Sequence, residues 1–292
     1  MGECSSRAAT KTRSKAGAYT IACRVIALVL YALSALSMEI GRAHATSVLV
    51  KTTYEVNVGG ITVLDIKYIA GVSATEYHSR ADIETRGVIT FFSDYRMKMA
   101  VTGSLVDGEA RPAEYTSRRK KNEKTKAIAL NWSNKGLSAG NSESKEIGAA
   151  LTPATVDPLT AVLWLSAAPR ESPCRATQRV FDGKEVFDLR FNFTREVNFD
   201  ADSPGPYRGI AYECRLTYLP VAGKYAAKFR NRKEVSPTYT VWLAPVETDV
   251  FGVTLLVPVR ATGIIDGLEF VAYASRAKIG GRPFNQQSKI GD

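Results

Sequence analysis

From Ser47 the chain reads SVLVKTTYEVNV, with Val48, Val50, Thr52, Tyr54, Val56 and Val58 on one parity and Lys51, Thr53, Glu55 and Asn57 on the other. A period of two is the mark of a half-buried β-strand. Gly59-Gly60 predicts a two-residue hairpin turn, and Ile61 to Ala70 returns as a second strand. Ala74 to Glu84 predicts a third. Val88 to Phe92 reads as a helical turn before a strand from Tyr95 to Val106, which Asp107-Gly108 ends. Tyr115 to Lys121 and Lys124 to Trp132 pair around Asn122-Glu123, with Ile128, Leu130 and Trp132 alternating inward. Their basic residues fall on both faces, so this end projects beyond the core. Gly136 to Gly148, rich in Ser, Gly and Asn, reads as a flexible loop.

One helix stands out. Asp157 suits its cap and Pro158 its first position, and Leu159, Val162, Leu163, Trp164 and Leu165 give it a broad apolar surface. Pro169 and Pro173 stop it. Strands resume at Arg175 to Phe181, turn at Asp182-Gly183, and return from Glu185 to Thr194 with Phe187, Leu189, Phe191 and Phe193 on one face. Ile210 to Leu219 places Tyr212, Cys214, Leu216 and Tyr218 together. Tyr239 to Ala244, Val253 to Val259 and Leu268 to Ser275 complete the strands, and residues 281–292 read as a frayed tail.

Ahead of this pattern lies a different segment. Arg7, Lys11, Arg13, Lys15 and Arg24 precede 14 uncharged residues, Val25 to Met38, and Ala43-His44-Ala45 follows. This is the layout of a cleavable secretory signal peptide over residues 1–45, and 14 residues fall short of the ~20 that span a bilayer. The full chain of 292 residues carries 39 Lys and Arg against 29 Asp and Glu; six of the former and two of the latter lie in the leader, so the rest keeps a charge of +6. Cys174 and Cys214 are the cysteines left after cleavage. In an oxidising compartment they are expected to pair, closing a loop whose entropy is worth up to roughly 4 kcal/mol.

The order Asp157-Pro158-Leu159-Thr160-Ala161, Cys174, Val180-Phe181-Asp182-Gly183, Phe187-Asp188-Leu189, Tyr212-Glu213-Cys214, Tyr218-Leu219-Pro220-Val221-Ala222-Gly223 and Val241-Trp242-Leu243-Ala244-Pro245 carries a family pattern, and Tyr54-Glu55-Val56 before Gly59-Gly60 fits it. Together these resemble the exported bacterial proteins of domain-of-unknown-function family 3108. The resemblance implies an envelope location, a curved antiparallel sheet and no assigned reaction. The expected fold is therefore mainly β: a single antiparallel, strongly curved sheet, half-barrel or spiral-like, over residues 46–280, with one short helix packed on it.

Catalytic signals are weak. Gly136-Leu137-Ser138-Ala139-Gly140 matches G-x-S-x-G, but no His lies downstream and no strand-to-helix elbow surrounds it. Ser117-Arg118-Arg119-Lys120 and Ser142-Glu143-Ser144-Lys145 match S-x-x-K without the companion elements. Asp200-Ala201-Asp202 fails as a calcium loop because Pro204 and Ala211 fall where ligands are needed. His78, alternating with Glu76 and Arg80, reads as a polar strand face. No enzyme activity, metal or cofactor is expected.

The leading expectation is a periplasmic protein holding a lipid-like or other amphipathic ligand against the aromatic strands, with Tyr54, Val56, Trp164, Phe187, Leu189, Phe191 and Tyr212 as contacts. Arg118, Arg119, Lys120 and Lys121 would face an anionic surface, and Lys228, Arg230, Arg232 and Lys233 form a second basic concentration. The alternative is an envelope-integrity scaffold that binds proteins or cell-wall polymer through its surface. Nucleic acid is not expected, because no stacking platform accompanies the charge.

Overall fold

The computed structural model describes residues 47–284 except 108, 134–135, 139–144, 167–172, 175–176, 204, 233–235, 248–253 and 266. The expected signal peptide, the end of the G-x-S-x-G match, the first three residues of the second S-x-x-K match and Lys233 of the second basic concentration lie outside the described residues, as do 285–292.

The alternating segments become strands β1 (Val48–Val58), β2 (Ile61–Val72), β3 (Glu76–Thr85), β4 (Tyr95–Val106), β5 (Glu109–Lys121), β6 (Lys124–Ser133), β7 (Gly136–Ser138), β8 (Thr177–Phe181), β9 (Val186–Phe199), β10 (Gly209–Ala222), β11 (Thr238–Glu247), β12 (Thr254–Ile265), β13 (Leu268–Ile279) and β14 (Arg282–Pro283). All belong to one antiparallel sheet in the order β7-β6-β5-β4-β3-β2-β1-β13-β12-β11-β10-β9-β8, with β14 added to β13. Two meanders are joined where the first strand meets the thirteenth, for example Val56 opposite Ala272 and Val58 opposite Phe270. The sheet is open: β7 and β8 are not paired with each other.

Between β7 and β8 run α1 (Lys145–Ala150) and α2 (Pro158–Ser166), and α3 (Lys224–Arg232) follows β10. Among the described residues the single helix expected is thus corrected to three. Glycines and serines hid α1, and α3 was read as surface charge. Yet Ala226 of α3 is fully buried, and Arg230 reaches Glu146 of α1 at 2.7 Å. The helical turn expected at 88–92 is a 3-10 turn over Gly87–Phe91.

Helix α2 is covered nearly all round, as an apolar helix must be; Leu159, Thr160, Ala161, Leu163, Leu165 and Ser166 are buried. It touches β3, β4, β5, β8 and β12, strands far apart in the sheet order. The residues before it tie both ends of the sheet. Trp132 Nε1 of β6 donates to the Thr155 carbonyl at 3.0 Å. The Val156 N–H donates to the Arg179 carbonyl at 3.0 Å, and the Phe181 N–H to the Val156 carbonyl at 2.9 Å. Arg179 in turn binds Asp188 through two hydrogen bonds at 2.7 and 2.9 Å and reaches the Ala150 carbonyl.

Two expectations at the margins change. The tail is not frayed at its start: Gly280-Gly281 turns, β14 pairs with β13, and Phe284 is buried against Tyr207 with ring centres 5.5 Å apart. Nor do the four apolar residues expected on one face of β9 share one fate. Phe191, opposite Leu216, is buried, while Phe193, opposite Cys214 at the edge of a bulge in the β9–β10 register, is half exposed.

Candidate functional site

Two places stand out: the interior around α2 and the basic hairpin β5–β6.

In the interior, fully buried Asp157 caps α2. Its Oδ1 accepts from the Leu159 and Thr160 N–H groups at 2.9 and 3.0 Å, and its Oδ2 from the Thr160 hydroxyl at 2.5 Å. With its hydrogen committed there, Thr160 Oγ1 accepts from Tyr77 OH, 2.7 Å away on β3. Burial raises the Asp157 carboxyl above its ordinary range, and the Thr160 hydrogen bonds oppose that shift. Burial likewise raises Tyr77, and pushes Tyr68 to about 12. At neutral pH these phenols are neutral donors and acceptors rather than bases. The network is a cap and a brace, anchoring the helix to β3.

Of the seven residues expected to hold a ligand, six belong to three apolar clusters: Tyr54 to the one around Tyr68 and Leu163, Trp164, Leu189, Phe191 and Tyr212 to the one around the disulfide, and Phe187 to the one around Val156 and Val180. Val56, Phe191 and Tyr212 are buried; Trp164, Leu189 and Phe187 are half-buried, with Phe187 stacked on Tyr218 at 4.7 Å. Tyr54 donates to the Pro258 carbonyl at 3.0 Å, a bond across the β1–β12 interval. The cavity it lines with Thr52, Tyr68, Leu163 and Leu256 has a volume of about 20 Å³, room for about one water molecule. Within this region Cys174 and Cys214 form a disulfide, with Cα atoms 5.9 Å apart, among Leu165, Phe191, Tyr212, Leu243 and Leu256. It ties the segment after α2 to the middle of β10.

The basic hairpin divides as expected between two faces. Arg118 and Lys120 are exposed on the outer face. Lys120 lies 3.5 Å from Asp94, whose N–H donates to Asn122 in the hairpin turn. Arg119 is half-buried opposite Met97 and Lys126. Arg119, Lys121, Asn122, Glu123, Lys124 and Lys126 line an open depression of about 750 Å³. Lys184, in the β8–β9 turn, holds its proton less tightly than a free lysine, through burial first and then the charges of Arg119 and Lys126. Cations from both ends of the sheet therefore converge. This convergence was invisible in sequence, because 58 residues separate Lys126 from Lys184.

Ser117 is buried and Lys120 exposed on the other face of β5, so they do not meet. His78 is exposed, its ring over Gly71, where a Cβ would lie 2.2 Å from the imidazole. Asp200 accepts from the Asp202 N–H and from Ser203 Oγ in a solvated turn. Among the described residues no cluster of three or more His, Cys, Asp or Glu could hold a metal ion. None of their helices is long and apolar enough to cross a membrane.

The sequence description of the family "Protein of unknown function (DUF3108)" matches residues 53–266, from the first strand to the β12–β13 turn. The chain belongs to the DUF3108 family. The disulfide, the α2 cap and the tyrosines around it all fall within the DUF3108 match. A comparison with curated proteins gave no match. Among solved structures, the chain is similar to a β-barrel-like protein of the domain of unknown function DUF1849 from Brucella abortus. That likeness has 10% identity over 80% of this chain and 98% of that one, with a TM-score of 0.44.

Proposed function

We propose that this DUF3108 protein is exported, loses its leader after Ala45, and serves in the periplasm as a non-enzymatic envelope scaffold. It acts through its outer surface, where the basic hairpin meets an anionic component of the envelope, and its interior is given over to packing. The sheet is read as curled around α2. A nine-residue helix is about 14 Å long, whereas thirteen flat strands would span roughly 60 Å, and α2 touches strands from both halves. The Cys174–Cys214 disulfide suits an oxidising compartment.

The observation that carries the scaffold over the carrier is the 20 Å³ cavity beside Tyr54. Ligand sites are typically ~300–1,000 Å³, and Phe191, Tyr212 and Val56 spend their apolar surface on the protein itself. A fluorescent fatty-acyl probe is therefore expected to show no saturable binding to the folded protein. Saturable binding that Phe191→Asp abolishes in a still-folded variant would restore the carrier reading. Export is tested separately by intact mass of the protein from fractionated cells: a chain beginning at Thr46 in the periplasmic fraction is expected, and an uncleaved chain in the cytoplasm would overturn it.

A further inference from the structure

Following the strands from tip to tip sorts the molecule into two ends. The turns β1–β2, β3–β4, β5–β6 and β12–β13 emerge at one end, because β1, β3, β5 and β12 all run toward it. Neighbouring hairpins set these tips about 10 Å apart. Among the described residues, that end carries most of the large apolar side chains left in water. Phe91 and Phe92, in the 3-10 turn between β3 and β4, are 88% and 82% exposed. Ile61 opens β2 beside them, and Ile264, Ile265 and Leu268 crown β12–β13. The next tip along is the basic one. Lys121, Lys124 and Lys126 make no ion pair among the described residues, and the Asp94–Asn122 hydrogen bond joins that hairpin directly to the phenylalanine turn.

Building on the surface-acting reading above, we infer that this end is a membrane-docking face: the apolar tips enter the headgroup boundary of an anionic lipid bilayer while the β5–β6 lysines hold its phosphates. Three features select a bilayer as the occupant. The apolar residues sit on separate protruding tips, which a fluid interface can take up individually, rather than on one flat strand face. They are flanked by unpaired cations, the combination that binds anionic lipid surfaces. And the phenylalanine turn is held in place by backbone bonds, the Phe92 and Ser93 N–H groups both donating to the Ile89 carbonyl, so it is a formed turn with its rings directed outward.

The test is sedimentation of the processed full chain with phosphatidylcholine vesicles, with and without phosphatidylglycerol. Binding is expected only with phosphatidylglycerol and is expected to weaken as salt is raised. Phe91→Asp with Phe92→Asp should weaken it at least roughly tenfold. Lys121→Gln with Lys124→Gln should cost roughly fivefold per lysine, while Val106→Asp, at the opposite end, should change nothing. All these sites are exposed, so thermal unfolding should stay near wild type and certify the fold. Equal binding to both vesicle types, or binding indifferent to the phenylalanine pair, would overturn the inference. Loss of vesicle binding together with retained binding to a soluble acidic polymer through the same lysines would also overturn it, yet would leave the scaffold reading standing. Saturable binding of an acyl probe in the interior would instead sink the scaffold reading.

Discussion

The two ends of this sheet use aromatic residues in opposite ways. At the end that carries the β9–β10 turn and the C-terminal strand, Phe199, Tyr207 and Phe284 pack edge to face and tilted, with centroids 5.5 to 6.0 Å apart, and Phe284 is only 4% exposed. The β9–β10 turn there is polar and satisfies itself: Asp200 binds Ser203 and Asp202, and Arg208 caps the carbonyls of Ala201, Gly205 and Tyr207. At the other end Phe91 and Phe92 stand in water beside lysines. Equal hydrophobicity thus has two roles. One end is closed by its aromatics, and the other keeps them for something outside the chain. Exposed apolar groups in a folded protein mark interaction surfaces more often than scattered accidents when they collect on one side.

That contrast gives the largest expected effect first. Phe199→Ala should lower stability by roughly 3–5 kcal/mol, as truncating a buried phenylalanine does, whereas Phe91→Ala and Phe92→Ala should each stay within about 0.5 kcal/mol. Urea unfolding measures both, and equal losses at the two ends would erase the distinction. Cys214→Ser, in the middle of the sheet, should cost roughly 2–4 kcal/mol without altering vesicle binding by the folded fraction, which separates global stability from the docking end.

Asp157 sharpens the comparison from inside. Asp157→Ala should cost about 1–2 kcal/mol through the lost cap, and Asp157→Asn less. Because burial raises the folded carboxyl above its unfolded value, the fold favours the protonated form. Its contribution is greatest below the ordinary carboxylate range and falls as pH rises through the raised value. The wild-type minus Asp157→Asn difference in urea midpoint should therefore decline as pH rises from the ordinary carboxylate range through the raised value; a rising difference would reverse the assignment. The smallest effect belongs to Lys184. Its folded pKa is lowered, so the unfavourable burden of its charge is present at neutral pH and relieved as pH climbs into the alkaline range. Lys184→Gln should raise stability by less than about 0.5 kcal/mol while weakening attraction to anionic vesicles.

Alternation made most of the sheet readable in advance. Ser47 to Val58, Gly59-Gly60 and the Asp182-Gly183 turn behave as their residues dictate, and Asp157-Pro158 opens a helix because one supplies the acceptor and the other a preset φ. What stayed hidden depended on distant partners. The apolar spacing of Tyr225, Ala226 and Phe229 in α3 is masked by four basic residues in nine. Phe284 reads as tail until Tyr207 is seen beneath it. A strand's own pattern says that one face is apolar, not whether α2 will cover it, so the aromatic strands fit a groove and a core alike. The doublet Phe91-Phe92 posed the converse problem: an apolar pair predicts burial, and only the position of the β3–β4 turn at the sheet's end denies it.

The adjacency of β1 and β13 has a consequence for assembly. Strands made in order can pair with their predecessors as they emerge, but β1 has one edge whose partner lies some 220 residues downstream, Tyr54 opposite Ala274. Until β13 arrives, that edge presents an unpaired row of amide and carbonyl groups, a template for pairing with other chains. Such sequence-distant pairing also slows folding, since the loop entropy is lost before the contact is gained. Completion of this sheet therefore waits on β13, and until then the free β1 edge is where pairing with another chain would begin.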